Sequence, residues 1–164
     1  MPDTYPPKLQ LFVNRVFLER LEEDNNPELA LSRGRQRAID GWRRQGKTEE
    51  WINERIKSMD CNNSYRKILS DHEVSGNGFA ICANNINCGL LGTTGKKYKE
   101  VNGYPLDANL KDCMDEPLLA AERLAELLSG KKIEKNNVLG NIPCAKVSHS
   151  VAKEIVDTVK RITN

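Results

Sequence analysis

Between Arg33 and Lys47 stand six basic side chains, Arg33, Arg35, Arg37, Arg43, Arg44 and Lys47, against the single acid Asp40, a local excess of +5. Guanidinium groups match phosphate oxygens bidentately, and neutralising several phosphates releases counterions. The run therefore reads as a surface for a nucleic-acid backbone, with affinity that falls as salt rises. The competing reading is a solvated helix face whose arginines pair with acids elsewhere, the Glu19 to Glu28 stretch being the nearest supply. Lys96, Lys97, Lys99 and Lys111 form a second basic group in a glycine-rich segment, where exposed backbone N–H groups can also meet an anion.

Other chemistries fit the residues less well. Gly89 to Lys96 lacks the spacing of a phosphate-binding loop, because Lys96 is followed by Lys97 rather than Ser or Thr. His72 and His149 are the only histidines and neither lies at short spacing from a cysteine pair, so no metal site is expected. Cys61, Cys82, Cys88, Cys113 and Cys144 form no C-x-x-C pair and carry no nucleophile signature; buried, reduced thiols are the expectation. Trp42 and Trp51 can stack on unpaired bases, but with only 5% aromatic residues both are expected mainly to fill space. Asp112 and Asp115 are close enough to suggest a carboxylate pair, although capping a helix ahead of Pro117 accounts for Asp115 more simply. Arg55 is expected to anchor a helix end or pair with an acid. No catalytic residue, cofactor or metal is assigned, and the chain is not read as an enzyme.

These groups must be carried by a chain of 164 residues with 38% hydrophobic and 29% charged residues and a mean hydropathy of −0.60. That describes one folding unit, residues 1–164, with a modest core. The net charge of +2 implies no polyanionic partner by itself, so the distribution of charge has to carry that case. No apolar run reaches the ~20 residues of a membrane span, and no secretory leader is evident, so a cytoplasmic location away from membranes is expected.

Helical periodicity dominates the chain. Leu9, Phe12, Val13, Val16, Phe17 and Leu21 mark a first amphipathic helix. Asn26-Pro27-Glu28 has the order of an N-cap, a first-turn proline and an early acid, opening the arginine-bearing helix that Gly46 stops. Thr48 can cap a third helix through Trp51, Ile52, Arg55 and Ile56, and Tyr65 to Leu69 suggests a further short one before the turn Ser75-Gly76-Asn77-Gly78. Phe79 to Leu91 is compatible with strand or buried helix, and helix is favoured. Gly92 to Asn109 reads as a short helix or turns between loops. Asp115-Glu116-Pro117 begins a strong helix expected to stop near Ser129-Gly130. Val147, Val151, Ile155, Val159 and Ile162 define a last one, whose stripe is either core or a dimer face, so a homodimer through the C-terminal helix is held open. The fold class is all-α, a compact bundle of six or seven helices.

Gly46-Lys47-Thr48-Glu49-Glu50-Trp51-Ile52-Asn53-Glu54-Arg55 resembles the G-K-S-x-E-W-I-x-x-R segment of bacterial and phage proteins of the DNA-damage-inducible protein D (DinD) type. The order continues with Gly78-Phe79-Ala80-Ile81, with the segment around Tyr98 that resembles Y-K-x-x-K-G, and with Leu110-Lys111-Asp112-Cys113-Met114, similar to L-R-D-H-M. Leu118 to Glu126 and the last helix continue the resemblance to the end of the chain. Gly46, Trp51, Arg55, Phe79, Tyr98, Leu110, Asp112 and Met114 are the residues that carry it. Nothing before Gly46 resembles the Bro-type domain such proteins often carry, and Cys113 stands where the motif usually has histidine. The resemblance implies a non-enzymatic role in the DNA-damage response, acting on RecA filaments on single-stranded DNA.

Together these readings lead to an expected bacterial or phage protein of DNA metabolism. It binds DNA, single-stranded by preference, or a DNA-bound protein, with Arg33, Arg35, Arg37, Arg43, Arg44, Lys47, Lys96 and Lys97 as the contacting residues. The alternative is a protein-only adaptor or inhibitor, of phage origin or not, whose basic helix recognises an acidic protein surface.

Overall fold

The computed structural model describes residues 6–163, and all of its regular structure among them is helical. Seven α-helices run in order as α1 (Pro7–Asn25), α2 (Pro27–Arg44), α3 (Glu49–Asp71), α4 (Gly78–Leu91), α5 (Gly95–Val101), α6 (Glu116–Asn136) and α7 (Asn141–Thr163). A short 3-10 helix, Leu110–Cys113, precedes α6. The all-α class is thus observed, including helix rather than strand for Phe79 to Leu91. No helix is long and apolar enough to cross a membrane among the described residues.

Contacts divide the chain into two units, Met1–Thr48 and Glu49–Asn164. In the first, α1 and α2 form a hairpin. The Asn26 side chain accepts from Leu29 N–H at 3.1 Å and Pro27 opens α2, as the N-cap pattern predicts. The far end of α2 closes on Gly46 at φ 78°, with Gly46 N–H bonded to Arg43 O and Lys47 N–H to Trp42 O. Only a residue free to take the left-handed conformation satisfies both carbonyls in this way.

In the second unit α3 packs on α6 and α4 on α7, while α6 and α7 also pack on each other. The residue pairs that meet are offset by a nearly constant separation: Ser58 meets Glu122, Asn62 meets Glu126 and Asn85 meets His149, each 64 residues apart. Because the contacts advance together, α3 runs parallel to α6 and α4 parallel to α7. The two turns are stitched as well, Gly140 N–H donating to His72 O at 2.9 Å and Asn141 exchanging two hydrogen bonds with the Ser75 backbone. Tyr65, Leu69, Val74, Cys82, Ile86, Leu90, Ala125, Ile133, Cys144, Ala145 and Ala152 fill the space between these helices.

Two helix boundaries differ from the sequence expectation. Residues 49–56 and 65–69 belong to one continuous α3, because the polar stretch between them faces α6 rather than solvent: Ser58 is fully buried and Asn62 bonds Glu126. The second difference is at Ser129-Gly130, where α6 continues for another turn and a half. Gly130 is buried, and a Cβ there would stand 2.8 Å from Ile68 Cδ1, so this glycine permits close packing against α3 instead of ending a helix. Gly89 plays the same part in α4. A Cβ at Gly89 would lie 2.6 Å from Ala152 Cβ and 2.8 Å from the His149 carbonyl oxygen, which belongs to backbone that has little freedom to retreat. Gly89→Ala therefore gains about 1 kcal/mol of helix propensity yet loses more to overpacking, a net destabilisation of about 1–2 kcal/mol measurable by urea unfolding. Gly34→Ala and Gly41→Ala in α2, where an added Cβ meets nothing within 4 Å, are the controls and leave stability unchanged or improved.

Candidate functional site

The arginines of α2 are held by acids of α1. Glu22 and Glu23, near the end of α1, receive Arg33 and Arg37 from the neighbouring helix. Arg33 Nη2 lies 2.8 Å from Glu22 Oε2, and its Nη1 donates to the Glu19 carbonyl at 3.2 Å. Arg37 Nη1 lies 2.8 Å from Glu23 Oε1, while Arg20 takes the other oxygen of the same carboxylate at 3.0 Å. Glu23 is 6% exposed, and the hydrogen bond from Arg37 holds its carboxyl below the usual range. Arg43 approaches Asp40 at 3.7 Å within α2. Arg35 and Arg44 are exposed, and Lys47 is half-buried just beyond the helix. The basic residues stand on α2 and just beyond it, and part of their charge is compensated within the hairpin by the acidic stretch that the competing reading named.

The same hairpin carries a feature that periodicity alone misassigns. Leu9, Phe12, Val13, Val16, Phe17 and Leu21, an apolar stripe of the sort that ordinarily packs into a core, are all exposed. Leu11 and Leu18, on the other flank, are open as well, at 70% and 60% exposure, and Leu31 of α2 is 75% exposed. Exposed apolar side chains beyond scattered single residues are a feature that interaction sites share.

Of the second basic group, Lys96 and Lys97 are exposed on α5, with Lys97 at 3.8 Å from Glu100. Lys99 and Lys111 do not join them at the surface. The Lys99 ammonium donates to the carbonyls of Leu106 and Ala108, tying down the loop after α5. Lys111 is drawn inward, 2.8 Å from Glu122 Oε1 and 3.0 Å from Glu126 Oε1, and its ammonium also donates to Ser58 Oγ. A lysine side chain leaves water for such a place only where carboxylates are already buried there.

Four of the residues that carry the resemblance, Trp51, Arg55, Asp112 and Met114, meet beside Lys111. Trp51 Nε1 donates to Met114 O at 2.9 Å, and Arg55 Nε donates to Asp112 Oδ1 at 2.8 Å. These two bonds fasten the short 3-10 helix onto α3. Leu110 fills the space beside Gly95, Phe79 receives the Arg66 guanidinium 4.8 Å from its ring centre, and Tyr98 stacks on Tyr104. Trp51 and Met114 are 5% and 1% exposed and act as scaffold. Both tryptophans are buried, as expected from the scarcity of aromatic mass, and Asp115 caps α6 by accepting from Leu118 N–H.

Glu122 and Glu126, which sequence reasoning passed over, form the centre of a buried polar cluster with Lys111, Ser58 and Asn62. Asn62 Nδ2 donates to Glu126 Oε1 at 2.6 Å, whereas Glu126 Oε2 is buried with no hydrogen-bond partner among the described residues. Burial, aided by the neighbouring Glu122 carboxylate, pushes the Glu126 carboxyl up to about 7. Arg123 and Glu54 pair at its edge. The Ser58–Lys111 contact has the composition of a nucleophile beside an amine, but Ser58 has no exposed surface for a substrate to reach. The signal in the sequence was the helical register: Leu119, Glu122, Glu126, Ser129 and Ile133 share one face of α6.

The thiols carry no reactive signature. Cys82, Cys113 and Cys144 are buried, and burial raises the Cys61, Cys82 and Cys144 thiols, Cys82 to about 11. No group of three or more potential metal ligands is assembled among the described residues. No protein-family model matches the chain, and no curated protein matches it.

Proposed function

We propose that this protein is a non-enzymatic binding module of bacterial or phage DNA metabolism that engages the protein component of a DNA–protein assembly, a RecA filament being the case the DinD resemblance suggests. The observation that supports this reading is the apolar surface of α1, from Leu9 to Leu21, standing in solvent beside arginines whose charge is partly met by Glu22 and Glu23. Large exposed side chains such as Phe12, Phe17 and Leu18 supply the anchors of a protein interface, and the surrounding charged residues supply its polar rim. Phosphate recognition has less to draw on, because transferring Arg33 or Arg37 to DNA first requires breaking an ion pair.

Direct DNA contact is the second reading, supported by the exposure of Arg35, Arg37, Arg43 and Arg44 along α2. The two separate cleanly. In co-sedimentation with RecA filaments on single-stranded DNA, the wild-type chain is retained, and Phe17→Ser with Leu18→Ser lowers retention by about tenfold or more while leaving the circular dichroism spectrum intact. Bare single-stranded DNA gives no gel shift at moderate salt. A shift on bare DNA that fades steeply with salt, unaffected by the two α1 substitutions but lost in Arg35→Ala with Arg44→Ala, would overturn the protein-docking reading in favour of the phosphate one.

A further inference from the structure

The second unit holds a surface that the proposed role of α1 does not use. Between α6 and α7 lies an open groove of about 680 Å³ whose floor is formed by Leu124, Leu128, Val151, Ile155 and Val159. Val151 is buried, but Leu124, Leu128 and Val159 remain 42%, 39% and 52% exposed, so the last-helix stripe is core at its start and open surface at its end. Lys131, Lys132 and Lys135 stand along one edge, with Glu154 as the acid among the lining residues. Lys132 lies 3.6 Å from that glutamate, which leaves Lys131 and Lys135 as the uncompensated charges of the rim. Among the described residues, neither has a partner.

We infer that this groove binds an acidic amphipathic helix of another protein, its apolar face on Leu124, Leu128, Ile155 and Val159 and its carboxylates on Lys131 and Lys135. The dimensions agree: residues 124–135 of α6 run along about 16 Å, the length of roughly three helical turns. Helix-in-groove recognition uses apolar anchors at i, i+3 or i+4 and i+7 over that span. A second copy is the less favoured occupant, because a two-fold pairing brings two sets of three rim lysines, Lys131, Lys132 and Lys135, into one interface against two copies of Glu154.

The test is selection of the chain, full length, against a displayed library of helical 16-residue peptides randomised on the face turned to the target. The selected sequences are expected to carry apolar residues at i, i+3, i+4 and i+7 with net negative charge. By fluorescence anisotropy their affinity falls about tenfold or more on Lys131→Glu with Lys135→Glu, and is likewise lost on Leu128→Asp. Both lysines are exposed, so the charge reversal keeps the native helical content, which circular dichroism verifies. Selection that returns no binders, binders without acidic bias, or binders indifferent to the charge reversal overturns the inference. So does a concentration-dependent dimer in sedimentation that Leu128→Asp dissociates, which would give the groove to a second copy. Retention on RecA filaments is unchanged in the charge-reversed chain, which keeps this outcome separate from the fate of the α1 reading.

Discussion

Lys111→Met unfolds at pH 8 with a loss of about 3–5 kcal/mol relative to the wild-type chain, the range expected when one partner of a buried ion pair is removed and the other is left behind. The loss is large because Lys111 serves two carboxylates, Glu122 and Glu126, with 4% and 2% exposure. Methionine matches the volume of the stem, so packing changes little and the effect isolates the charge. At pH 5 the deficit shrinks, since the stranded carboxyls can then take up protons. Adding Glu122→Gln and Glu126→Gln to Lys111→Met restores much of the stability, because no buried charge remains uncompensated. Urea unfolding of the single and triple variants checks both statements, and a single-variant loss below about 1 kcal/mol would show that water reaches the cluster.

Glu126→Gln is the second large effect, and it appears as a change in pH dependence. In the folded chain the Glu126 carboxyl titrates at about 7, against 4.5 for the ordinary group. Between those values the folded state holds a proton that the unfolded chain has released, so the contribution of this residue to stability is greatest below about 4.5 and falls as pH rises through 7. From pH 5 to pH 8 the cost amounts to about 3 kcal/mol, the product of the two-unit interval below the folded value and about 1.4 kcal/mol per unit. Glutamine retains an acceptor for Asn62 and Lys111 but cannot ionise. The variant is therefore expected to gain stability relative to wild type across that interval, with the difference between the two curves rising towards alkaline pH. The groups facing Glu126 set this balance: burial and the Glu122 carboxylate raise its titration, while Lys111 and the hydrogen bond from Asn62 lower it. A difference that stays flat from pH 5 to pH 8 would place the proton elsewhere in the cluster.

The buried cluster also gives the Trp51-x-x-x-Arg55 motif a local role. Trp51 and Arg55 stand one helical turn apart on α3 and bond Met114 and Asp112, which brings Lys111 over the carboxylates of α6. The spacing of the motif thus serves the docking of one short segment. Cys113, between Asp112 and Met114, is 6% exposed and its thiol donates to the Asn109 carbonyl.

Much of the local structure was legible in the residues. Asn26 with Pro27, Asp115 with Pro117 and Gly46 set helix ends by bonds made within a few residues, and such signals depend little on the rest of the fold. The all-α class followed from period, and Arg55 pairs with Asp112, one of the two roles expected of it. The extents of α3 and α6 were not legible, because Ser58, Asn62 and Gly130 look like interruptions until a second helix lies against them.

The candidate site divides along the same line. The cluster of arginines between Arg33 and Lys47 is a property of the chain itself, since neighbours in sequence remain neighbours on a helix. Which of those charges are available is a tertiary property. It was decided by the α1–α2 hairpin, which sets Glu22 and Glu23 against Arg33 and Arg37. Likewise, an apolar stripe states only that a face avoids water and not what covers it: the same pattern is exposed on α1, buried at Val151 and open at Val159. Lys111 shows the reason most plainly, for a lysine belongs at the surface by its solvation energy alone, and only two carboxylates brought from another helix make the interior its lower-energy place.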